Sequence, residues 1–363
     1  MGFQFTIQKF TLFYFCSYTF RLKKISNSFL IIVIRLIQNL NEKIIIMAHI
    51  RRKVVIVGAG AVGSTFAYAL AQNGSADEIA IIDQNKNYME GQVLDLLHGL
   101  PYYPHVRIKF GEVEDYADAR VIVITAGAKQ QPGESRLNLL QRNAAIMKSI
   151  VDDIIAQKSN AVLLVVSNPV DILSQVALKH SGWTRNRVIG SGTVLDSARF
   201  RYLLSEHCKV DVSNVHAYIL GEHGDSEFAA WSMTHIGGIP VAEYYRTCNN
   251  CDDLEKDRET IEQKVKRSAY HIIDYKGATY YAVGMAMLRI VNSILRDQHS
   301  VLTVSAYLDG EYGLKDVTLG IPCIVSANGA ENVIEGKLTD DELRKLHHSA
   351  GILKQSLDSL AGM

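Results

Sequence analysis

The chain has 363 residues, 48% of them apolar, enough to bury the cores of two ordinary globular domains. Lys plus Arg and Asp plus Glu both total 38, so no global basic excess draws it to nucleic acid or to an anionic membrane surface. The five cysteines, Cys16, Cys208, Cys248, Cys251 and Cys323, are scattered and odd in number, which argues against a secreted disulfide framework and fits a reducing cytoplasm.

Residues 1–20 hold six of the eleven phenylalanines, and no acid stands before Glu42. Lys and Arg flank apolar runs there, as in a targeting segment, but "FLIIVI" is cut by Arg35 and no small-residue cleavage site is evident. No run approaches the roughly 18 apolar residues that a membrane helix needs. Met47 opens "MAHIRRKVVIVGAG" just ahead of a first strand, so the expectation is a native start at Met47 and a non-native extension over 1–46.

From Lys53 the pattern is strand, turn, helix, repeated. "KVVIVGAGAVGSTFAYALAQNG" is an apolar run of strand length, a glycine turn, then apolar residues at helical spacing up to Gly74. "EIAIID", "VIVITAG" and "AVLLVVSNP" follow as continuous β-branched runs, the pattern of parallel strands covered on both faces. Near "RVIGSGTVLDSARFRYLL" the alternation lapses, and strands such as "HSVLTVSAYLDG" and "TLGIPCIVSANG" mix with helices. The expected fold is therefore α/β: a Rossmann-type doubly wound parallel sheet over 47–190, then a mixed α/β substrate domain over 191–363. "RTCNNCDDLEKD" contains a CxxC, but no second pair or His cluster stands at zinc-ligand spacing, so it reads as a polar surface loop and no metal is expected. The final "TDDELRKLHHSAGILKQSLDSL" reads as a packing helix with a Thr cap and acids in its first turn.

"GAGAVG" has glycines at all three positions of GxGxxG. Between a strand and a helix, Gly58 can make the tight turn, Gly60 can admit a pyrophosphate, and Gly63 can bring helix and strand together. Asp83 ends the next strand, where a carboxylate accepts hydrogen bonds from an adenosine ribose and repels a 2′-phosphate, pointing to NAD rather than NADP. In such a protein, "GEHGD" places His223 where an acid/base group is needed, because moving a hydride to or from an alcohol carbon also moves a proton. Taken alone, His223 reads equally well as a structural residue. "LDSARFR" offers Asp196 to fix its tautomer, with Arg199 and Arg201 beside it.

Six ordered segments, "GAGAVG", "AGAKQQPGESR", "SNPVDIL", "IGSGTVLDSARFR", "VHAYILGEHGDSE" and "KGATYYAVG", are similar in order and spacing to those of L-lactate dehydrogenases of the bacterial branch. The likeness runs from Met47 to the C terminus and is loose around "YYRTCNNCDDLEKDRET". It implies His223 as acid/base, Asp196 as its carboxylate partner, and Arg199 as the grip on a substrate carboxylate. It implies that "AKQQPGESR" is a loop closing over substrate and bringing Arg136 to the carbonyl. Asn168 and Thr279 then face the substrate, and Val62, Gly127, Ala128, Ser167 and Asn168 join the glycine turn along the cofactor. Malate dehydrogenases share the His/Asp pair and both arginines but resemble this loop with Arg at the position of Gln130. A neutral Gln130 offers no countercharge for a second carboxylate, so pyruvate and L-lactate are the expected substrates. A non-catalytic dinucleotide-binding protein could keep the glycines while losing His223, Asp196, Arg136 or Arg199, and all four are present. The resemblance further implies a homotetramer, with Arg201 and His216 matching positions that contact fructose 1,6-bisphosphate as an activator. Packing at an interface is an equal reading of those two.

Overall fold

A computed structural model describes residues 51–129, 133–248 and 253–361. Gln130, Cys16, Cys251 and the expected start at Met47 lie outside the described residues.

Six parallel strands form the first part of the sheet: β1 (Lys53–Val57), β2 (Glu78–Ile82), β3 (Arg107–Phe110), β4 (Val121–Ile124), β5 (Val162–Val165) and β6 (Val188–Gly190). Their spatial order is 3-2-1-4-5-6, the doubly wound order whose reversal point lies between β1 and β4. The continuous apolar runs are explained by burial on both faces. Val54 and Ile56 join one hydrophobic cluster and Val55 and Val57 the other. Helix α1 (Ala61–Asn73) contributes Phe66 and Leu70 to the first cluster, and α2 (Lys86–His98) contributes Met89 and Val93. On the second face, α3 (Arg136–Ala156) and α4 (Val170–Ser181) supply Met147, Val151, Ile154, Leu173 and Ala177. Each such buried Val, Leu, Ile, Phe or Met side chain is worth about 1.5–3 kcal/mol in removal from water.

After β6 comes α5 (Val194–Cys208), then five two-residue strands: β7 (Val215–His216), β8 (Ile219–Leu220), β9 (Phe228–Ala229), β10 (His235–Ile236) and β11 (Ile239–Pro240). "VHAYIL" is thus split between two small sheets. The carbonyls between its halves are taken elsewhere: Ala217 accepts from Arg201 Nε at 3.1 Å, and Tyr218 from the Ala230 amide at 2.9 Å. A short α6 (Val241–Tyr244) precedes α7 (Leu254–Lys276) and α8 (Tyr281–Leu295).

Here the structure corrects one expectation. The "DLEKD" end of the polar segment is helical, because the Asp253 side chain accepts the Glu255 and Lys256 amides and two acids, Glu255 and Asp257, stand in the first turn. The local polarity that suggests a loop is that of a helix start.

Three long strands, β12 (Ser300–Asp309), β13 (Lys315–Ser326) and β14 (Gly329–Val333), extend the same sheet antiparallel beyond β6, giving nine strands. The last helix, α9 (Asp340–Ala361), opens on reciprocal bonds between Thr339 and Glu342, a capping box in which each side chain satisfies the other's amide. Among the described residues, no helix is long and apolar enough to cross a membrane.

Candidate active site

The turn after β1 behaves as three separate glycine requirements. Gly58 has φ +108°, and a Cβ there would meet Thr125 Oγ1 at 2.6 Å. A Cβ on Gly63 would lie 1.9 Å from the Gly58 carbonyl oxygen, so only glycine lets α1 sit this close to β1. Gly60 differs: nothing lies within 4 Å of its missing Cβ. Its backbone borders open space at the N-terminus of α1, where a diphosphate can meet free amides. Asp83 accepts the Ala59 amide on one oxygen and the Asn85 amide on the other, both at 2.8 Å. Each oxygen keeps a lone pair for a ribose hydroxyl. The turn and its acid therefore fit a dinucleotide.

At the carboxyl ends of β4, β5 and β6 is a cavity of about 330 Å³. Val62, Gly127, Ala128, Ser167 and Asn168 line it from the parallel half of the sheet, and Arg199, His223 and Thr279 from the later half. These eight are all expected site residues, drawn from segments far apart in the chain. Ala269 and Ile273 of α7 and Val283 and Ala286 of α8 add apolar surface, a mixture suited to a flat, partly polar ligand.

His223 follows β8 on a turn. Its Nδ1 is 2.7 Å from Asp196 Oδ2, while Arg199, one turn along α5, donates from NH1 to Asp196 Oδ1 at 2.7 Å. Asp196 is 2% exposed, so its charge would be costly without these partners. Burial works against its ionised form, but the hydrogen bond and positive charge of His223, then Arg199, hold the carboxyl below its usual range. Burial likewise opposes charge on His223, yet the hydrogen bond to Asp196 and its negative charge raise the imidazole to about 9. The remaining Arg199 donors have no partner among the described residues.

Arg136 is the expected residue that the structure does not bring to this cavity. It is the first residue of α3, capped by Ser135, and lines a neighbouring cavity with Glu222, Asp225 and Glu227. Just ahead of it, Arg142 donates to the Lys129 carbonyl at 3.0 Å and to Glu134 at 2.8 Å. Arg201 and the exposed His216 lie outside the cavity as well, Arg201 being held at the Ala217 carbonyl beside His216.

Two buried polar residues were missed in the sequence. Asn143 accepts the Ala128 amide at 2.7 Å and donates to the Asn168 carbonyl at 3.3 Å, tying two cavity segments together. Asp171 accepts the His223 amide at 2.7 Å and the Ser305 hydroxyl at 2.6 Å. Burial lifts the Asp171 carboxyl to about 6 despite both bonds. Isolated polar residues on helices carry no local signature of such roles.

The family model described as lactate/malate dehydrogenase, NAD binding domain, matches residues 52–190, and the corresponding alpha/beta C-terminal domain matches 193–362. An L-lactate dehydrogenase of Treponema denticola is 59% identical over 312 residues, covering 85% of this chain and 98% of that protein. L-lactate dehydrogenase 1 of Clostridium acetobutylicum is 52% identical over 309 residues, with 85% and 98% covered. Among solved structures, a lactate dehydrogenase from a Medee basin deep-sea metagenome library superposes with a TM-score of 0.84 at 44% identity, covering 86% of this chain and 99% of that one. The minor L-lactate dehydrogenase of Enterococcus mundtii, in its ligands-bound form, gives 0.83 at 44% identity, with 86% and 99% covered. With both of its domains matched and its NAD-binding turn intact, the chain belongs to the lactate/malate dehydrogenase family.

Proposed function

We propose that this site interconverts pyruvate and L-lactate with NADH and NAD as redox partners, the first half of the chain (47–190) holding the cofactor and the second (191–363) the substrate. The observation that carries the reading is the Arg199–Asp196–His223 chain of 2.7 Å contacts in the wall of the cavity beside the glycine turn. Gly58, Gly60, Gly63 and Asp83 would hold the diphosphate and ribose, with Val62, Gly127, Ala128, Ser167 and Asn168 beside the nicotinamide. When bound, that ring supplies or accepts the hydride.

The chain's own residues handle charge and protons. Protonated His223, its Nδ1–H given to Asp196, offers Nε2–H to the carbonyl oxygen of pyruvate and delivers the proton as that oxygen becomes a hydroxyl. The neutral imidazole left behind is the base for L-lactate in reverse. Arg199 takes the substrate carboxylate on its free donors, in the fork geometry that suits a carboxylate. Arg136 reaches the site when its loop closes, polarising the carbonyl and excluding water. Thr279 and Gln130 border the methyl end, and the neutral Gln130 disfavours the second carboxylate of oxaloacetate.

Malate dehydrogenation is the competing reading, because all these residues except Gln130 serve it equally. We further infer a cytoplasmic homotetramer in which Arg201 and His216 bind fructose 1,6-bisphosphate; the support for that site is that Arg201 donates to the carbonyl of Ala217, the chain neighbour of His216, and that cations bind phosphate. NADH oxidation by the full chain, with pyruvate or oxaloacetate at equal concentration and with or without the bisphosphate, tests these points. Strong preference for pyruvate is expected, with activation by the bisphosphate; preference for oxaloacetate would replace this reading with the malate one.

A further inference from the structure

The mechanism above leaves one neighbour of the acid/base pair unused. Glu227, just before β9, is 4% exposed, and its carboxyl has no hydrogen bond or ion pair among the described residues. One of its oxygens, a carboxyl oxygen of Asp196 and a ring nitrogen of His223 all lie within 4.8 Å of one another. Other buried acids are held: Asp171 accepts two hydrogen bonds, and Asp115 accepts from Lys53 and Lys109. Glu227 instead borders the neighbouring cavity with no such bond among the described residues, and its carboxyl stands close enough to the acid/base pair for its charge to act on the pair.

The charges facing it are Asp196 and Arg199 on α5, His223 on the preceding turn and Lys266 on α7. Across the neighbouring cavity of about 560 Å³ stand Arg136 of α3 and Glu262 of α7, Glu222 and Asp225 of its own loop, and Lys345 and His348 of α9. Tyr270 of α7, bonded to Asp225, also senses both Arg136 and Glu227. Asp171 of α4 also faces His223, accepting its amide at 2.7 Å, and after Asp196 is the next negative charge acting on the imidazole, ahead of Glu227. An ionised Glu227 adds a further negative charge beside the protonated ring, and it loses that attraction once His223 is neutral. Negative charge on Glu227 and the proton on His223 therefore support each other. With Arg199 already 2.7 Å from Asp196, the cluster favours protons over a metal ion.

We propose that Glu227 acts through His223 as a positioning residue of the acid/base assembly: once ionised, it holds the imidazole proton and extends the pyruvate-reducing form of the site to higher pH. Burial pushes the Glu227 carboxyl well up, so the first proton lost as pH rises belongs to the coupled group rather than to either residue. When the Glu227 proton is the first to leave, the attraction between the ionised carboxyl and the imidazolium delays the loss of reducing activity.

The test is the pH profile of kcat/KM for pyruvate in the full chain and in Glu227→Gln, Glu227→Leu and Glu227→Asp. Both uncharged variants should bind NADH normally and lose activity about one pH unit earlier on the alkaline side, so that well above the midpoint they run about tenfold slower than the parent. Leu suits burial and guards against misfolding in the Gln variant. Asp should restore part of the alkaline range, which a packing role would not predict. A folded uncharged variant that keeps the parent's alkaline limb overturns the proposal. The proposal rests on His223 being the acid/base, and His223→Asn in the same series separates the two: full turnover there would remove both, whereas lost turnover beside an unmoved Glu227→Gln profile would remove only this one.

Discussion

His223 and Asp196 stand 27 positions apart in the chain and 2.7 Å apart in the fold, and the direction of the imidazole shift follows from that contact. Burial favours neutral imidazole, so the raised value of about 9 means that the Asp196 carboxylate outweighs desolvation. In the free protein, pyruvate reduction, which uses the protonated ring, should hold steady at neutral pH and fall as pH rises through about 9. Lactate oxidation, which needs the neutral ring, should rise over the same interval; initial rates in both directions across that range check the sign. Asp196→Asn should shift the alkaline limb of pyruvate reduction toward acid and lower kcat/KM by roughly 100-fold, while leaving NADH binding intact. Gln130→Arg should move the ratio of kcat/KM toward oxaloacetate; an unchanged ratio would show that Gln130 does not face the substrate.

The strand–turn–helix unit from β1 to α1 shows how far an element can be read from its letters. Its glycines, its strand and its acid are legible because each requirement is local: a positive φ, a close approach, an open face. Contrasting substitutions separate those requirements. Gly60 has φ −63° and no atom near its missing Cβ, so Gly60→Ala should keep the thermal midpoint and weaken NADH binding about tenfold or more. Gly63→Ala should lower both, because its Cβ would lie 1.9 Å from a backbone oxygen. Calorimetric melting and NADH titration of the two proteins distinguish the outcomes. The two-residue strands β7 to β11 are not legible, because pairings that short come from tertiary contacts rather than periodicity. The start of α7 is misread for the opposite reason: helix caps and loops draw on the same polar residues.

Across the whole molecule, the two edges of the parallel sheet have different work. Cavity, glycine turn and His223 gather at the carboxyl edge, whereas the amino edge is closed by Lys53, which reaches Asp115 at 2.7 Å and Glu78 at 3.5 Å. Burial alone would raise the Asp115 carboxyl; hydrogen bonds from Lys109 and Lys53 reverse this and bring it to about 2. A depressed folded value stabilises the protein above the unfolded value near 4, and that contribution is lost as pH falls from about 4 toward 2. Lys53→Met strands buried carboxylates and should cost about 3 kcal/mol, seen as a lower midpoint in urea, with the KM for pyruvate unchanged. No reading of the sequence finds this network, since Lys53 and Glu78 begin two strands while Lys109 lies within a third and Asp115 in the turn after it. The carboxyl-edge site was legible because the doubly wound order dictates where ligands meet the sheet, although the position of Arg136 depends on a loop whose closure no motif encodes.

The most direct measurement is pyruvate-dependent NADH oxidation by His223→Asn, with NADH binding followed by fluorescence in the same preparation. Retained binding with a rate lowered by about 1,000-fold or more is the expected result. Retained binding with a rate within tenfold of the parent would contradict the assignment of His223 as the group that moves the proton.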